Sequence, residues 1–186
     1  MNRAGERWRA RKAAAYPSGL LFSMMLGRRR RREGGGGAQR RLMAGYGKVP
    51  PFRILEHTAD IGFEAFGSTR EETFANAARA LIDLMVDLDA IDPGEDISVR
   101  VEGADPESLL VNWLSELLYL HDAEGWLFRD FEIQNLRDDS LAAIARGEKF
   151  QRSRHQVKLQ VKAITYHQLA LERTPEGWRA QVYVDI

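Results

Sequence analysis

Three short polar segments of the 186-residue chain carry the residue types from which a site could be built. The first covers residues 56–60 (EHTAD), the second covers 162–167 (KAITYH), and the third is the final pair Asp185 and Ile186. Because strand periodicity continues to the last residue, we expect the Asp185 carboxylate and the main-chain carboxylate of Ile186 to lie close together. With Asp60 alongside, they offer oxygen ligands that suit a hard cation such as Ca²⁺ or Mg²⁺ better than zinc or copper.

Each of these residues also has an ordinary structural explanation. A single imidazole at a strand corner commonly satisfies a backbone group, which is sufficient to explain His57 and, equally, His167. Acidic residues at strand ends are often simply solvated, and an exposed lysine such as Lys162 is common on the polar side of a strand. Spacing alone therefore leaves two alternatives, a metal site and a solvated edge of a sheet.

The composition and the missing motifs exclude several kinds of functional site. The chain has no cysteine, which excludes disulfides, thiolate zinc sites, thiol nucleophiles and iron–sulfur clusters. It also lacks a glycine-rich phosphate loop, a G-x-S-x-G elbow and an H-E-x-x-H pair. Residues 51–186 contain 25 acidic and 14 basic side chains, a net charge of −11 that disfavours direct binding to nucleic acid. A protein partner is the better expectation.

Residues 1–50 differ from the rest, with 13 basic and 2 acidic side chains, an arginine run at 28–32 and four glycines at 34–37. They show no sustained periodicity and predict a disordered basic leader before a single domain at 51–186. A translation start assigned too far upstream explains this leader, as does a transit peptide or a nucleic-acid-binding arm. No apolar run is long enough to span a bilayer or to act as a secretory signal, so we expect a cytoplasmic protein without membrane association.

Hydrophobic periodicity in the body predicts two strands around the first polar segment, then a helix, a strand and a second helix. The first helix begins at a capping box on Ser68 or Thr69, and the second runs from Asp105 to Gly125. Further strands are expected at 126–133, 141–145, 157–163, 169–171 and 178–184. This order, with short turns between the late strands, indicates an α+β fold in which two helices pack on a mostly antiparallel sheet.

Three motifs make the chain similar to the archease family. They are 56–62 (EHTADIG), 161–167 (VKAITYH) and 176–186 (EGWRAQVYVDI), in the order found in the family, and the resemblance covers essentially all of 51–186. It implies an archease-like two-layer α+β sandwich as the fold. It also implies that the protein is not itself an enzyme. The resemblance also implies a function as accessory factor for the RtcB-type RNA ligase, which seals tRNA halves with GTP and a divalent metal. Such a factor promotes guanylylation and multiple turnover of the ligase and associates with tRNA only indirectly.

The resemblance further implies which residues form the site. Asp60, Asp185 and Ile186 match the metal ligands of the family, and Ile186 contributes through its main chain and terminal carboxylate. Calcium is the expected metal, with Mg²⁺ and Mn²⁺ as alternatives. The other residues assigned to the functional face are His57, Lys162, Thr165 and His167. No role follows from the family for the basic stretch 146–155.

Two other classes of function compete with this interpretation. A metal-dependent phosphoesterase could use the same carboxylates, provided that the metal kept open coordination positions. A nucleic-acid chaperone could act through the basic leader, and its affinity for RNA would then depend steeply on salt.

Overall fold

A computed structural model describes residues 50–56 and 61–186 of the chain. The described elements, in chain order, are β1 (Phe52–Glu56), β2 (Ile61–Gly67), α1 (Arg70–Met85), β3 (Glu95–Glu102), α2 (Pro106–Glu124), β4 (Trp126–Leu136), β5 (Ser140–Lys149), β6 (Ala163–Ile164), β7 (Ala170–Thr174) and β8 (Gly177–Asp185). Each strand pair is antiparallel. These elements confirm the predicted α+β fold with two helices and antiparallel strands. The predicted leader, up to residue 49, lies outside the described residues.

The strands divide into two sheets, a feature that the sequence pattern did not indicate. The larger sheet has the order β1-β2-β8-β6, with β7 also paired to β8, and the smaller sheet has the order β3-β5-β4. Because the last strand β8 inserts beside β2, segments distant in sequence become neighbours in the larger sheet. This arrangement positions the candidate site.

Helix α1 contacts both sheets, reaching β2 and β8 of the larger one and β4 of the smaller one. Its predicted apolar stripe is buried in full, over Phe74, Ala77, Ala78, Leu81, Ile82 and Met85. Helix α2 joins the same core through Trp113, which is fully buried and whose indole N–H donates a hydrogen bond to the Phe74 carbonyl over 3.1 Å. Burial of these side chains is the main driving force that holds the helices on the sheets.

The signals at the helix ends act as the sequence predicts. The Thr69 hydroxyl accepts a hydrogen bond from the backbone N–H of Glu72, and the Glu72 carboxylate accepts from the backbone N–H and the hydroxyl of Ser68. Thr69 is therefore the N-cap, and the alternative box of Ser68 with Glu71 is wrong because Ser68 bonds to Glu72 instead. Asp105 caps α2, which ends at Gly125 with a left-handed φ of 72°. These local interactions satisfy backbone N–H groups at both helix starts.

The predicted strand over 157–163 is wrong except for its last residue. Val157 makes a single bridge to Val86, and the backbone N–H of Lys158 bonds to the Met85 carbonyl over 2.8 Å. The backbone therefore pairs with the end of α1 instead of with a neighbouring strand. Residues 150–162 form a crossing segment, which carries the chain from the smaller sheet to β6 in the larger one. Among the described residues, no helix is long and apolar enough to cross a membrane.

Candidate functional site

The register of the larger sheet brings chain neighbours of all three polar segments to one end of β8. Ile61, which follows Asp60 in the sequence, pairs with Val184. Ala163, which follows Lys162, pairs with Asp185 on the other side of β8. Segments separated by about a hundred residues in the sequence thus meet at the end of one strand, as a site formed from all three segments requires.

Lys162 makes two hydrogen bonds to the last two residues of the chain. Its backbone N–H donates to the Asp185 carbonyl over 2.8 Å, and its ammonium group donates to the main-chain oxygen of Ile186 over 3.0 Å. Lys162 and Asp185 are both exposed, so their charges face solvent. The lysine therefore fixes the main-chain oxygen that the resemblance assigns as a ligand.

The remainder of the second motif packs along β8. The backbone N–H and the hydroxyl of Thr165 both donate to the Tyr183 carbonyl, each over 3.0 Å. The His167 ring meets the Tyr183 ring edge to face, with ring centroids 5.7 Å apart. We name these residues together the β8-end cluster: Lys162, Thr165, His167, Tyr183, Asp185 and Ile186.

Tyr183 is the member of the cluster that the sequence analysis missed. It lies on the polar side of β8, yet only 8% of its surface is exposed. A Cβ atom at Gly62 would lie 2.8 Å from Cδ1 of the Tyr183 ring and 2.6 Å from the Val182 carbonyl oxygen. The ring therefore lies directly over Gly62, at the start of β2. A glycine inside a predicted strand indicates such a close approach and could have revealed this contact.

A tight turn follows Thr165 and is held from several sides. The backbone N–H of Leu169 donates to the Tyr166 carbonyl, and the Gln181 amide donates to the Gln168 carbonyl over 3.0 Å. Gln168 has a φ of 47° and is the one described residue other than glycine with a positive φ. At the tip of the turn the Tyr166 side chain is 62% exposed.

A second charged group occupies the same face of the larger sheet, further from the end of β8. Glu64 is 2% exposed and its carboxylate accepts hydrogen bonds from Arg53 on β1 and Arg179 on β8, the latter over 2.5 Å. Arg179 also bonds to Glu172 on β7. Burial raises the pKa of Glu64, but the hydrogen bonds and charges of the two arginines outweigh burial and keep the pKa below its ordinary value. This network ties four strands together.

The basic stretch 146–155 has a structural explanation. The Glu148 carboxylate binds the Arg154 guanidinium through two contacts of 3.0 Å and accepts a hydrogen bond from the backbone N–H of Asp92. It also lies 3.3 Å from Nε2 of His155, whose Nδ1 accepts from the backbone N–H of Gln151 over 2.9 Å. These bonds anchor the start of the crossing segment to the smaller sheet.

The oxygen donors that the structure describes at the end of β8 are of the kind that a hard cation prefers. Asp185 and Ile186 are consecutive residues at one strand end and supply a carboxylate and a main-chain oxygen, the donor types that calcium and magnesium prefer. Within 50–56 and 61–186, no group of three or more acidic, histidine or cysteine residues is placed to hold a metal. His57 and Asp60 lie outside the described residues, so their part in the site remains a prediction.

Comparison with known proteins tests the resemblance directly. The family model described as "Archease protein family (MTH1598/TM1083)" matches residues 52–186. This chain belongs to the archease family. Protein archease of Pyrococcus furiosus is 48% identical over 135 residues, which cover 70% of this chain and 95% of that protein. Protein archease of Methanosarcina barkeri is 43% identical over 148 residues, which cover 77% of this chain and all of that protein.

Two solved structures share the fold of this chain. The solution structure of Methanobacterium thermoautotrophicum protein 1598 matches with a TM-score of 0.62 and 32% identity, over 73% of this chain and 99% of that one. A crystal structure from Thermotoga maritima, described as an archease and possible chaperone, shares the fold with a TM-score of 0.50 and 22% identity, over 77% of this chain and 100% of that one. The three motifs in the sequence therefore identified both the family and its α+β fold.

Proposed function

We propose that this archease-family protein is a metal-binding accessory factor that activates an RtcB-type tRNA-splicing RNA ligase by promoting guanylylation and multiple turnover of the ligase. The observation that carries the proposal is the register at the end of β8, where chain neighbours of all three family motifs meet. If the three motifs only stabilised the fold, their polar residues would not need to be exposed and to meet at the end of one strand.

The candidate site residues have distinct roles in this proposal. Asp60, Asp185 and Ile186 supply the oxygen ligands of a divalent cation, Ca²⁺ first and Mg²⁺ or Mn²⁺ as alternatives. When bound, the cation supplies positive charge for phosphate groups at the interface with the ligase. Lys162 orients the Ile186 oxygen through its hydrogen bond of 3.0 Å. His57, Thr165 and His167 complete the functional face.

The charge of the body supports a protein partner in place of RNA. Residues 51–186 carry 25 acidic and 14 basic side chains, and this excess of negative charge complements the basic surface that an RNA-binding enzyme needs. Contact with tRNA is then indirect, through the ligase. The protein itself is not an enzyme, and it acts in the cytoplasm with its ligase.

A guanylylation assay tests the proposal. Purified ligase is incubated with labelled GTP, alone and with this protein, in EDTA and then in Ca²⁺, Mg²⁺ or Mn²⁺, and the labelled ligase is quantified. We expect stimulation by the unmodified protein and little by Asp185→Asn. Glu176→Gln, which removes an exposed carboxylate at the turn between β7 and β8, is the matched control and should stimulate normally.

The two competing functions give different results with the same preparations. A phosphoesterase should release phosphate from model esters without the ligase. A nucleic-acid chaperone should bind RNA with steep salt dependence and lose that affinity when residues 1–42 are removed. Either result, in the absence of any stimulation of the ligase, would contradict the accessory role.

A further inference from the structure

Four large apolar side chains of the described residues are exposed, and Tyr166 is the most exposed of them at 62%. The others are Ile54, Val157 and Ile186. Tyr166 directly follows Thr165, which bonds to the Tyr183 carbonyl of β8, and lies in the same motif as the exposed Lys162. An exposed tyrosine near polar and charged residues is typical of protein interfaces, where aromatic residues are enriched.

The turn that presents Tyr166 is fixed on both sides of the tyrosine. Before it, Thr165 makes two hydrogen bonds to the Tyr183 carbonyl. After it, the carbonyl of Gln168 accepts from the Gln181 amide, and the backbone N–H of Leu169 closes the turn on the Tyr166 carbonyl. These bonds define the position of the Tyr166 backbone, although its side chain projects into solvent.

The turn also contains an unfavourable backbone conformation. Gln168 has a φ of 47°, in the left-handed region that residues other than glycine rarely adopt. Such a conformation persists only where the surrounding contacts enforce it, and it is concentrated at functional sites. A glycine at this position would relieve the unfavourable conformation but would leave the turn flexible. With glutamine at this position the turn has fewer accessible backbone conformations than with glycine, which reduces the entropy lost when its tip binds a partner.

We propose that the turn 165–169 is a preorganised anchor that inserts the Tyr166 side chain into an apolar pocket on a basic protein surface. The inference rests on the proposed function, under which that surface belongs to the RNA ligase. Tyrosine is among the residues that contribute most to binding energy at interfaces, because it buries a large ring at a low cost in side-chain entropy. The acidic body favours a basic protein over RNA as the occupant, although a nucleobase could also stack on an exposed tyrosine.

Binding of the full-length protein to the purified ligase tests the anchor, measured by calorimetry with every protein in the same Ca²⁺ buffer, because each variant keeps the predicted metal ligands. Tyr166→Ala should weaken binding by about 30-fold, as expected for loss of an interface hot spot, whereas Tyr166→Phe should stay within about threefold. Val157→Ala, at a residue 53% exposed in the crossing segment, is the matched control and should bind normally. The melting temperatures of the three variants should not change, because Tyr166 and Val157 are both exposed.

A second variant separates the effect of a rigid turn from the effect of the Tyr166 contact itself. Gln168→Gly should keep or raise the melting temperature, since glycine adopts the left-handed conformation without strain, yet it should weaken binding several-fold because the turn becomes flexible. A purely structural role of the turn predicts that stability and affinity change in the same direction, and would be contradicted by this result.

The remaining outcomes overturn the proposal in distinguishable ways. If the unmodified protein binds the ligase and Tyr166→Ala binds equally well, the anchor is wrong and the proposed function stands. If the unmodified protein does not bind the ligase at all, both fail. If it instead binds a single-stranded RNA oligonucleotide, and Tyr166→Ala abolishes that binding, the tyrosine serves RNA and the protein anchor is also wrong.

Discussion

The Tyr183 ring lies so close over Gly62 that a Cβ atom there would approach its Cδ1 atom to 2.8 Å. The two residues belong to different family motifs and lie on adjacent strands, where Gly62 pairs with Tyr183. Their contact fixes the start of β2, directly after the predicted ligand Asp60, against the end of β8. The absence of a side chain at Gly62 thus leaves space for the Tyr183 ring, which connects β2 and β8 at the site.

Gly62→Ala should therefore destabilise the protein by about 1–3 kcal/mol, the usual cost of forcing extra atoms into a packed site. The backbone oxygen of Val182, 2.6 Å from the added atom, has less freedom to move than a side chain. Urea denaturation of both proteins measures the effect. Gly94→Ala is the control, because a Cβ atom there meets nothing within 4 Å; equal destabilisation by both variants would refute the contact.

The buried carboxylate of Glu64 should make stability depend on pH. Because its pKa is lowered in the folded protein from the ordinary value of 4.5, its stabilising contribution is fully present above about pH 4.5 and is lost as the pH falls through the lowered pKa. Glu64→Gln should lower the free energy of unfolding at pH 7 by about 1–3 kcal/mol, since two arginines lose a charged partner.

Urea midpoints measured between pH 7 and pH 3 check this prediction. The unmodified protein should lose stability more steeply over the acidic part of that range than Glu64→Gln does. Glu176→Gln, which alters an exposed glutamate, should follow the unmodified curve. Parallel curves for all three proteins would show that Glu64 does not contribute to acid sensitivity.

The sequence predicts elements whose signals are local. Asp105 and Gly125 fixed both ends of α2, and a single stripe identified the buried face of α1. The strand expected at 157–163 failed because its alternation resembles a half-buried strand, whereas its backbone partner is the end of α1 around Met85. No local pattern reveals which distant backbone a segment pairs with.

The site shows the same division between local and distant information. The motifs selected Lys162, Thr165 and Asp185, and the structure places all three at the end of β8. They did not select Tyr183, because its alternation places it on the polar face and its burial depends on Gly62 and His167 from other segments. The hydrogen bonds of Glu64 to arginines on two other strands could not be predicted from the sequence for the same reason.

Trp113 provides a test of the core that is independent of the site. It is fully buried, packs edge to face on Phe131 with ring centroids 5.9 Å apart, and bonds to the Phe74 carbonyl. Trp113→Ala should cost about 3–5 kcal/mol by leaving a large cavity. Trp113→Phe keeps part of the ring volume and should cost less. Thermal denaturation in EDTA measures both, and a neutral alanine variant would refute this packing.

Removal of charge at the end of β8 should weaken metal binding without unfolding the protein. A cation that binds only the folded state raises the melting temperature in proportion to the logarithm of its concentration over its dissociation constant. Calcium sites depend strongly on the number and charge of their ligands. Asp185→Asn keeps the shape of the side chain and removes one charge, so it should need about ten times more Ca²⁺ for the same rise.

Asp60→Asn should shift the calcium titration in the same direction if both carboxylates bind one ion, and the double variant should bind little metal. In EDTA, Asp185→Asn should melt close to the unmodified protein, because the Asp185 side chain is exposed and the bonds of β8 to Lys162 use main-chain oxygens. Glu176→Gln removes an equal charge elsewhere on the surface and controls for general electrostatic attraction of the cation. If it shifted the titration as far as Asp185→Asn, calcium would bind through the overall negative charge of the body, and the end of β8 would be no more than the edge of a sheet.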